Sequence, residues 1–114
     1  MRFFNRFIFV SGCSEYYEYV EKQDPQLFEQ IRALVKCGRW EIVGGTYNEP
    51  DENKPCGETL TQQYLTGLKY FQEKFGPDIK ITAGFNPDAF GHPDIWEILA
   101  KSGISSYVYL RPGP

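Results

Sequence analysis

Ile79-Lys80-Ile81-Thr82-Ala83-Gly84-Phe85, followed by Asn86-Pro87-Asp88-Ala89-Phe90-Gly91-His92-Pro93, decides how this chain folds. The first half reads as an apolar strand and the second as a polar loop beyond its carboxyl end. A helix marked by Ile95, Ile98 and Leu99 follows and closes at Gly103. Ile104 to Leu110 is then a further strand, ending at Arg111. A strand, a helix and a strand in succession predict a parallel pair with a crossover.

The same order repeats upstream. Phe7 to Ser11 reads as a short buried strand closed by Gly12. A short helix spans Glu15 to Glu21. Asp24-Pro25 starts another, with Asp at the N-cap and Pro at the first helical position. Leu27, Ile31, Leu34 and Val35 recur at helical spacing until Gly38 stops the helix. Trp40 to Val43 is the second strand, and a polar loop runs from Thr46 to Gly57. Leu60, Tyr64, Leu65, Leu68, Phe71 and Phe75 mark one face of a long helix that ends at Gly76-Pro77. The strands are apolar along their length, which predicts helices covering the sheet. The fold class is therefore α/β, with about four parallel strands and intervening helices. A small open sheet and a slice of a (β/α) barrel fit this pattern equally well.

Composition narrows the function. The 114 residues carry a formal net charge of -3, with basic residues dispersed among acidic ones, so no nucleic-acid surface is expected. No segment is apolar enough for a membrane span. Arg2 and Arg6 before Phe7-Ile8-Phe9-Val10-Ser11-Gly12-Cys13 resemble a lipoprotein signal, but the apolar run is too short for one. The three cysteines Cys13, Cys37 and Cys56 form neither a disulfide framework nor a zinc motif, and a reducing, cytoplasmic location is expected.

In either architecture ligands bind beyond the carboxyl ends of the strands. Asn48, Glu49, Asp51 and Asn53 follow the second strand, Asn86, Asp88 and His92 the third, and Arg111 the fourth. Carboxylates on neighbouring strand ends suit glycoside hydrolysis or a divalent metal. The same residue types also make turns and helix caps. Tyr47, Phe85, Phe90 and Trp96 could line a sugar site, although aromatic residues mostly fill cores. His92 is the chain's one histidine and reads as a residue at the start of a helix.

A family resemblance is carried by Phe9-Val10-Ser11 with Tyr17-Glu18, similar to F..S....YE, by the helix from Pro25 to Ile31, and by three longer segments. Gly38-Arg39-Trp40-Glu41-Ile42-Val43-Gly44-Gly45-Thr46-Tyr47-Asn48-Glu49-Pro50-Asp51 is similar to a GRWE..GG..vE.D stretch. Pro55-Cys56-Gly57-Glu58-Thr59-Leu60-Thr61-Gln62-Gln63 is similar to P.GE.L.RQ, with Gln62 where Arg is common. Gly84 to His92 resembles a W.PD.FGh segment, with Phe85 in place of Trp. Together they resemble glycoside hydrolase family 38, the α-mannosidases.

The resemblance implies that residues 1–114 form part of a seven-stranded (β/α) catalytic barrel, of which the chain is about half. It implies a retaining, zinc-dependent α-mannosidase acting on terminal α-mannosyl residues of glycans. Asp88 would be both nucleophile and zinc ligand, and Phe85, Glu49, Asp51 and Phe90 would contact substrate. The family's His-x-Asp metal pair, later metal histidine and general acid have no counterpart in this sequence, so the chain alone is expected to be inactive. The parent's homo-oligomeric state stays open. The rival readings are a sugar-binding or structural domain without chemistry, and a related barrel glycan hydrolase or deacetylase.

Overall fold

A computed structural model describes residues 6–111. Arg2 lies outside the described residues. Strand β1 (Phe9–Ser11) leads into helices α1 (Ser14–Gln23) and α2 (Pro25–Lys36), then strand β2 (Trp40–Ile42). Helix α3 (Gly57–Phe75), strand β3 (Ala83–Phe90), helix α4 (Ile95–Lys101) and strand β4 (Ser106–Arg111) complete the order.

The helix boundaries follow local chemistry. Asp24 Oδ1 accepts from the Leu27 amide at 2.9 Å, and Pro25 occupies the first turn of α2. Gly38 beyond α2 has φ 72° and Gly76 beyond α3 has φ 110°, conformations that a Cβ disfavours.

β1 pairs with β2 in parallel, and β3 pairs with β4 in parallel. The pairs meet where the Gly44 amide donates to the Ala83 carbonyl at 2.8 Å. The structure is thus an α/β arrangement of two parallel strand pairs.

Two cores hold the layers together. Tyr17, Phe28, Ile31, Ile42, Phe71 and Ile81 pack α1, α2 and α3 against β2. Leu60, Tyr64, Ile95, Leu99 and Ile104 join α3 to α4, with Leu68 packed against both groups. The Tyr17 hydroxyl donates to the Ser11 carbonyl at 3.0 Å and accepts from Trp40 Nε1 at 2.8 Å, tying α1 to both ends of the first strand pair. Its ring meets Phe71 edge-on at 5.1 Å.

Three expectations need correction. The strand expected from Ile79 to Phe85 begins at Ala83 and continues through Asn86-Pro87-Asp88 to Phe90. Residues 79–82 lack a ladder, although Ile81 is buried and the Thr82 carbonyl accepts from the Ser105 and Ser106 amides. The strand limit is set by its partner, β4. Second, Phe7, Ile8, Phe9 and Val10 are exposed, so the first strand is not buried. Third, helices do not cover every strand: Val108, Tyr109 and Leu110 of β4 are exposed too. Among the described residues, no helix is long and apolar enough to cross a membrane.

Candidate active site at the ends of the strands

Asp88 sits where the β3–β4 ladder breaks. From Asn86 to Phe90, β3 advances four positions while β4 advances two, from Tyr109 to Arg111. Pro87 has no N–H to give the ladder, and the surplus residues bulge. The bulge presents the Asp88 side chain to solvent, 78% exposed. Arg111 Nη2 donates to Asp88 Oδ1 at 2.6 Å. The Asp88 amide donates to Glu49 Oε1 at 3.0 Å, so the loop after β2 holds the backbone of this residue.

The same loop grips the strand at two further places. Asn86, buried, donates through Nδ2 to the Pro50 carbonyl at 3.3 Å. The His92 amide donates to Glu52 Oε2 at 2.9 Å, while Glu52 Oε1 accepts from the Tyr107 hydroxyl. Burial, then the hydrogen bond to Glu52, push the Tyr107 phenol above its ordinary range. Tyr64, beside this group, is likewise raised by burial.

Of the residues singled out in the sequence, Glu49, Asp88 and Arg111 are brought together. Asp51 is engaged inside its own loop: Oδ1 accepts from the Asn53 amide and Oδ2 pairs with Lys54, both at 3.2 Å. Phe85 is half-buried on β3, one position before the buried Asn86. The Phe90 backbone pairs with Arg111, and its side chain lies outside the described residues. His92 Nδ1 accepts from the Asp94 amide at 3.2 Å, fitting a residue at the start of a helix. Trp96 is exposed and meets Tyr107 edge-on at 5.7 Å. Glu52, 2% exposed, is the residue that sequence reasoning passed over. Its position one residue after Asp51 was the available signal.

A zinc ion does not fit these residues alone. Among the described residues no three His, Cys, Asp or Glu side chains converge on a point, and Asp88 Oδ1 already faces Arg111.

Residues 1–112 match the Glycosyl hydrolases family 38 N-terminal domain. The chain belongs to glycosyl hydrolase family 38. The relatives it resembles include Alpha-mannosidase G of Dictyostelium discoideum, 31% identical over 95% of this chain and 10% of that protein. Human Alpha-mannosidase 2C1 is 36% identical over 90% of the chain and 10% of its own length. The chain thus spans about a tenth of the length of the relatives it matches, which are glycoside hydrolases. Among solved structures, the 4-alpha-glucanotransferase from Thermococcus litoralis superposes with a TM-score of 0.77 at 19% identity, over 90% of this chain and 16% of that one. That likeness concerns the fold.

Proposed function

We propose that the protein carrying this segment is a retaining α-mannosidase acting on terminal α-mannosyl residues of glycans, with Asp88 as its nucleophile. Residues 1–114 would be a slice of its seven-stranded (β/α) catalytic barrel. The apolar residues left exposed on β1 and β4 suit strands that continue into further barrel. The observation that carries the reading is Asp88 itself. Its carboxylate projects from a bulge at the strand ends, braced by Arg111 on one side and by Glu49 through its amide on the other.

In a retaining reaction the Asp88 carboxylate attacks the anomeric carbon as the glycosidic bond breaks, and water then releases mannose from the ester. The Arg111 guanidinium holds the Asp88 carboxylate before attack and receives it again after hydrolysis. Glu49, holding the Asp88 amide, fixes the direction of approach. Phe85 offers an aromatic surface next to the bulge. The general acid and the other zinc ligands would come from parts of the parent beyond these residues, and the isolated chain would be inactive.

The test is Asp88→Asn in the full-length protein with an aryl α-mannoside. Loss of turnover on the order of a thousandfold, and retention in the first-formed anomer of the wild-type reaction, are expected. Turnover that survives with weakened binding would instead favour a sugar-binding role for Asp88. Wild-type activity on α-glucans or acetylated glycans, and not on α-mannosides, would favour the related barrel enzymes.

A further inference from the structure

Glu52 is buried beside the exposed Asn53 and Lys54 in the loop after β2, and its two oxygens serve two different elements. Oε2 accepts from the His92 amide, immediately beyond β3, and Oε1 accepts from the Tyr107 hydroxyl on β4. A buried carboxyl is retained only where its hydrogen bonds are made, and Glu52 meets that requirement on both sides. Its neighbours are arranged around the same point. Asn86 pairs with Tyr109 and Tyr107 with Gly84, so Asn86 and Tyr107 stand two register positions apart on adjoining strands. A Cβ placed on Gly91 would lie 3.5 Å from Glu52 Oε2, and one on Gly84 would lie 2.7 Å from the Tyr107 ring. A side chain at Gly84 would crowd the ring, whereas a Cβ at Gly91 would make ordinary contact with the carboxyl.

The spacing of these bonds along the chain is informative. Glu49 holds the amide of Asp88 and Glu52 holds the amide of His92, so two carboxyls three residues apart grip two amides four residues apart. Between those grips lies the irregular part of β3, where the ladder to β4 offers no regular support. The bulge therefore has its geometry set from the loop after β2 instead of from its own sheet.

We propose that Glu52 is a positioning residue for the nucleophile segment: its carboxyl clamps the His92 amide to the Tyr107 hydroxyl and so sets where the Asp88 carboxylate stands. This rests on the reading of Asp88 as nucleophile, but its first measurement does not. Glu52 is buried with its oxygens on the His92 amide and the Tyr107 hydroxyl, so it acts through the backbone of residues 88–92 and the Tyr107 ring. Tyr107→Phe removes one arm of the clamp and leaves the other.

The experiment compares wild type with Glu52→Gln, Glu52→Ala and Tyr107→Phe in the full-length protein, by amide hydrogen exchange and by steady-state kinetics on an aryl α-mannoside. Glu52→Ala is expected to speed exchange of the Asp88 and His92 amides by about tenfold or more, with the α3 amides around Phe71 unchanged. It is expected to lower kcat by roughly tenfold to a hundredfold with KM within about twofold, because displaced reacting groups affect the transition state more than ground-state binding. Glu52→Gln keeps an acceptor for His92 and should restore most of that amide's protection. Tyr107→Phe should fall between wild type and Glu52→Ala. Exchange at Asp88 and His92 that stays at the wild-type rate in Glu52→Ala overturns the proposal. So does a uniform loss of protection in both Glu52→Gln and Tyr107→Phe, which marks Glu52 as a general core residue. Wild-type protein that turns over no α-mannoside removes the nucleophile reading instead, and leaves the exchange result to judge the clamp.

Discussion

Arg111 and Asp88 are joined across the broken end of the β3–β4 ladder by a 2.6 Å hydrogen bond from Nη2 to Oδ1. Their side chains are 53% and 78% exposed. An ion pair that open contributes little to stability, since water screens it and two side chains must be held in place. Its value is orientational: a guanidinium fixes the plane of a carboxylate, which an ammonium does not.

Arg111→Ala should therefore separate stability from activity. Unfolding free energy is expected to change by no more than about 1 kcal/mol. Turnover of an aryl α-mannoside by the full-length protein should fall by roughly tenfold to a hundredfold. Arg111→Lys should lie between, since it keeps the charge and loses the fork. Thermal melts and steady-state kinetics on the same preparations check this. An active Arg111→Ala variant with a large stability loss would assign Arg111 to the scaffold.

A second ion pair offers a pH test remote from the site. Lys74 Nζ lies 2.5 Å from Glu21 Oε1, and the Tyr70 hydroxyl donates to Glu21 Oε2 at 3.1 Å, linking α1 to α3. The Lys74 hydrogen bond, opposed by partial burial and helped by Tyr70, lowers the Glu21 pKa below its ordinary 4.5. A lowered folded pKa means that unfolding takes up a proton in acid. The stabilisation is complete above the ordinary value and is lost as pH falls through the folded one. Wild type should be more stable than Glu21→Gln near neutral pH, and the gap should close as pH falls below the ordinary carboxylate range and through the lowered folded value. A gap of constant size in denaturant midpoints across that range would show that Glu21 acts by packing and not by charge.

The thiols report burial independently of any activity. Cys13 is buried, whereas Cys37 and Cys56 are exposed. Burial raises the Cys13 thiol, and hydrogen bonds from the Thr59 side chain and backbone lower that of Cys56. The thiolate is the reacting form, so an aromatic disulfide reagent should modify Cys56 readily and Cys13 only on unfolding. Peptide mapping over a time course reads the order directly. Early labelling of Cys13 in folded protein would contradict its packing against Thr46.

The helices were legible because their signals are local. Asp24-Pro25, Gly38 and Gly76 mark ends that each residue's own conformation imposes, and the apolar spacing of α3 identifies its buried face. β3 was legible in type but not in extent, because Pro87 reads equally as a strand end or a bulge and only the ladder to β4 shows that pairing resumes beyond it. The exposure of Phe9, Val10 and Val108 was hidden for a related reason: apolar character tells that a residue suits burial, not what covers it. At the site, Asp88 stood out through its segment, and Glu49 through its neighbours. Glu52 did not, because its partners His92 and Tyr107 are 40 and 55 residues away, and in sequence it looks like any solvated loop carboxylate.

Gly67 offers the sharpest structural prediction, because helix statistics point the wrong way. It lies inside α3, where replacing Gly by Ala ordinarily stabilises by about 1 kcal/mol. Here α3 crosses directly against the loop after β2. A Cβ on Gly67 would meet the Gly45 carbonyl oxygen and come within 2.5 Å of the Thr46 carbonyl carbon. Those are backbone atoms of a loop pinned elsewhere, with the Tyr47 amide bonded to the Gln63 carbonyl and the Ser14 amide to the Thr46 carbonyl. They cannot step aside as a flexible side-chain end would. Gly67→Ala should destabilise by roughly 1–3 kcal/mol, the usual range for overpacking. The displaced loop carries Glu49 and Glu52, so faster exchange of the Asp88 amide should accompany the loss. A denaturation midpoint at or above wild type would mean that α3 and the loop lie farther apart than this packing allows.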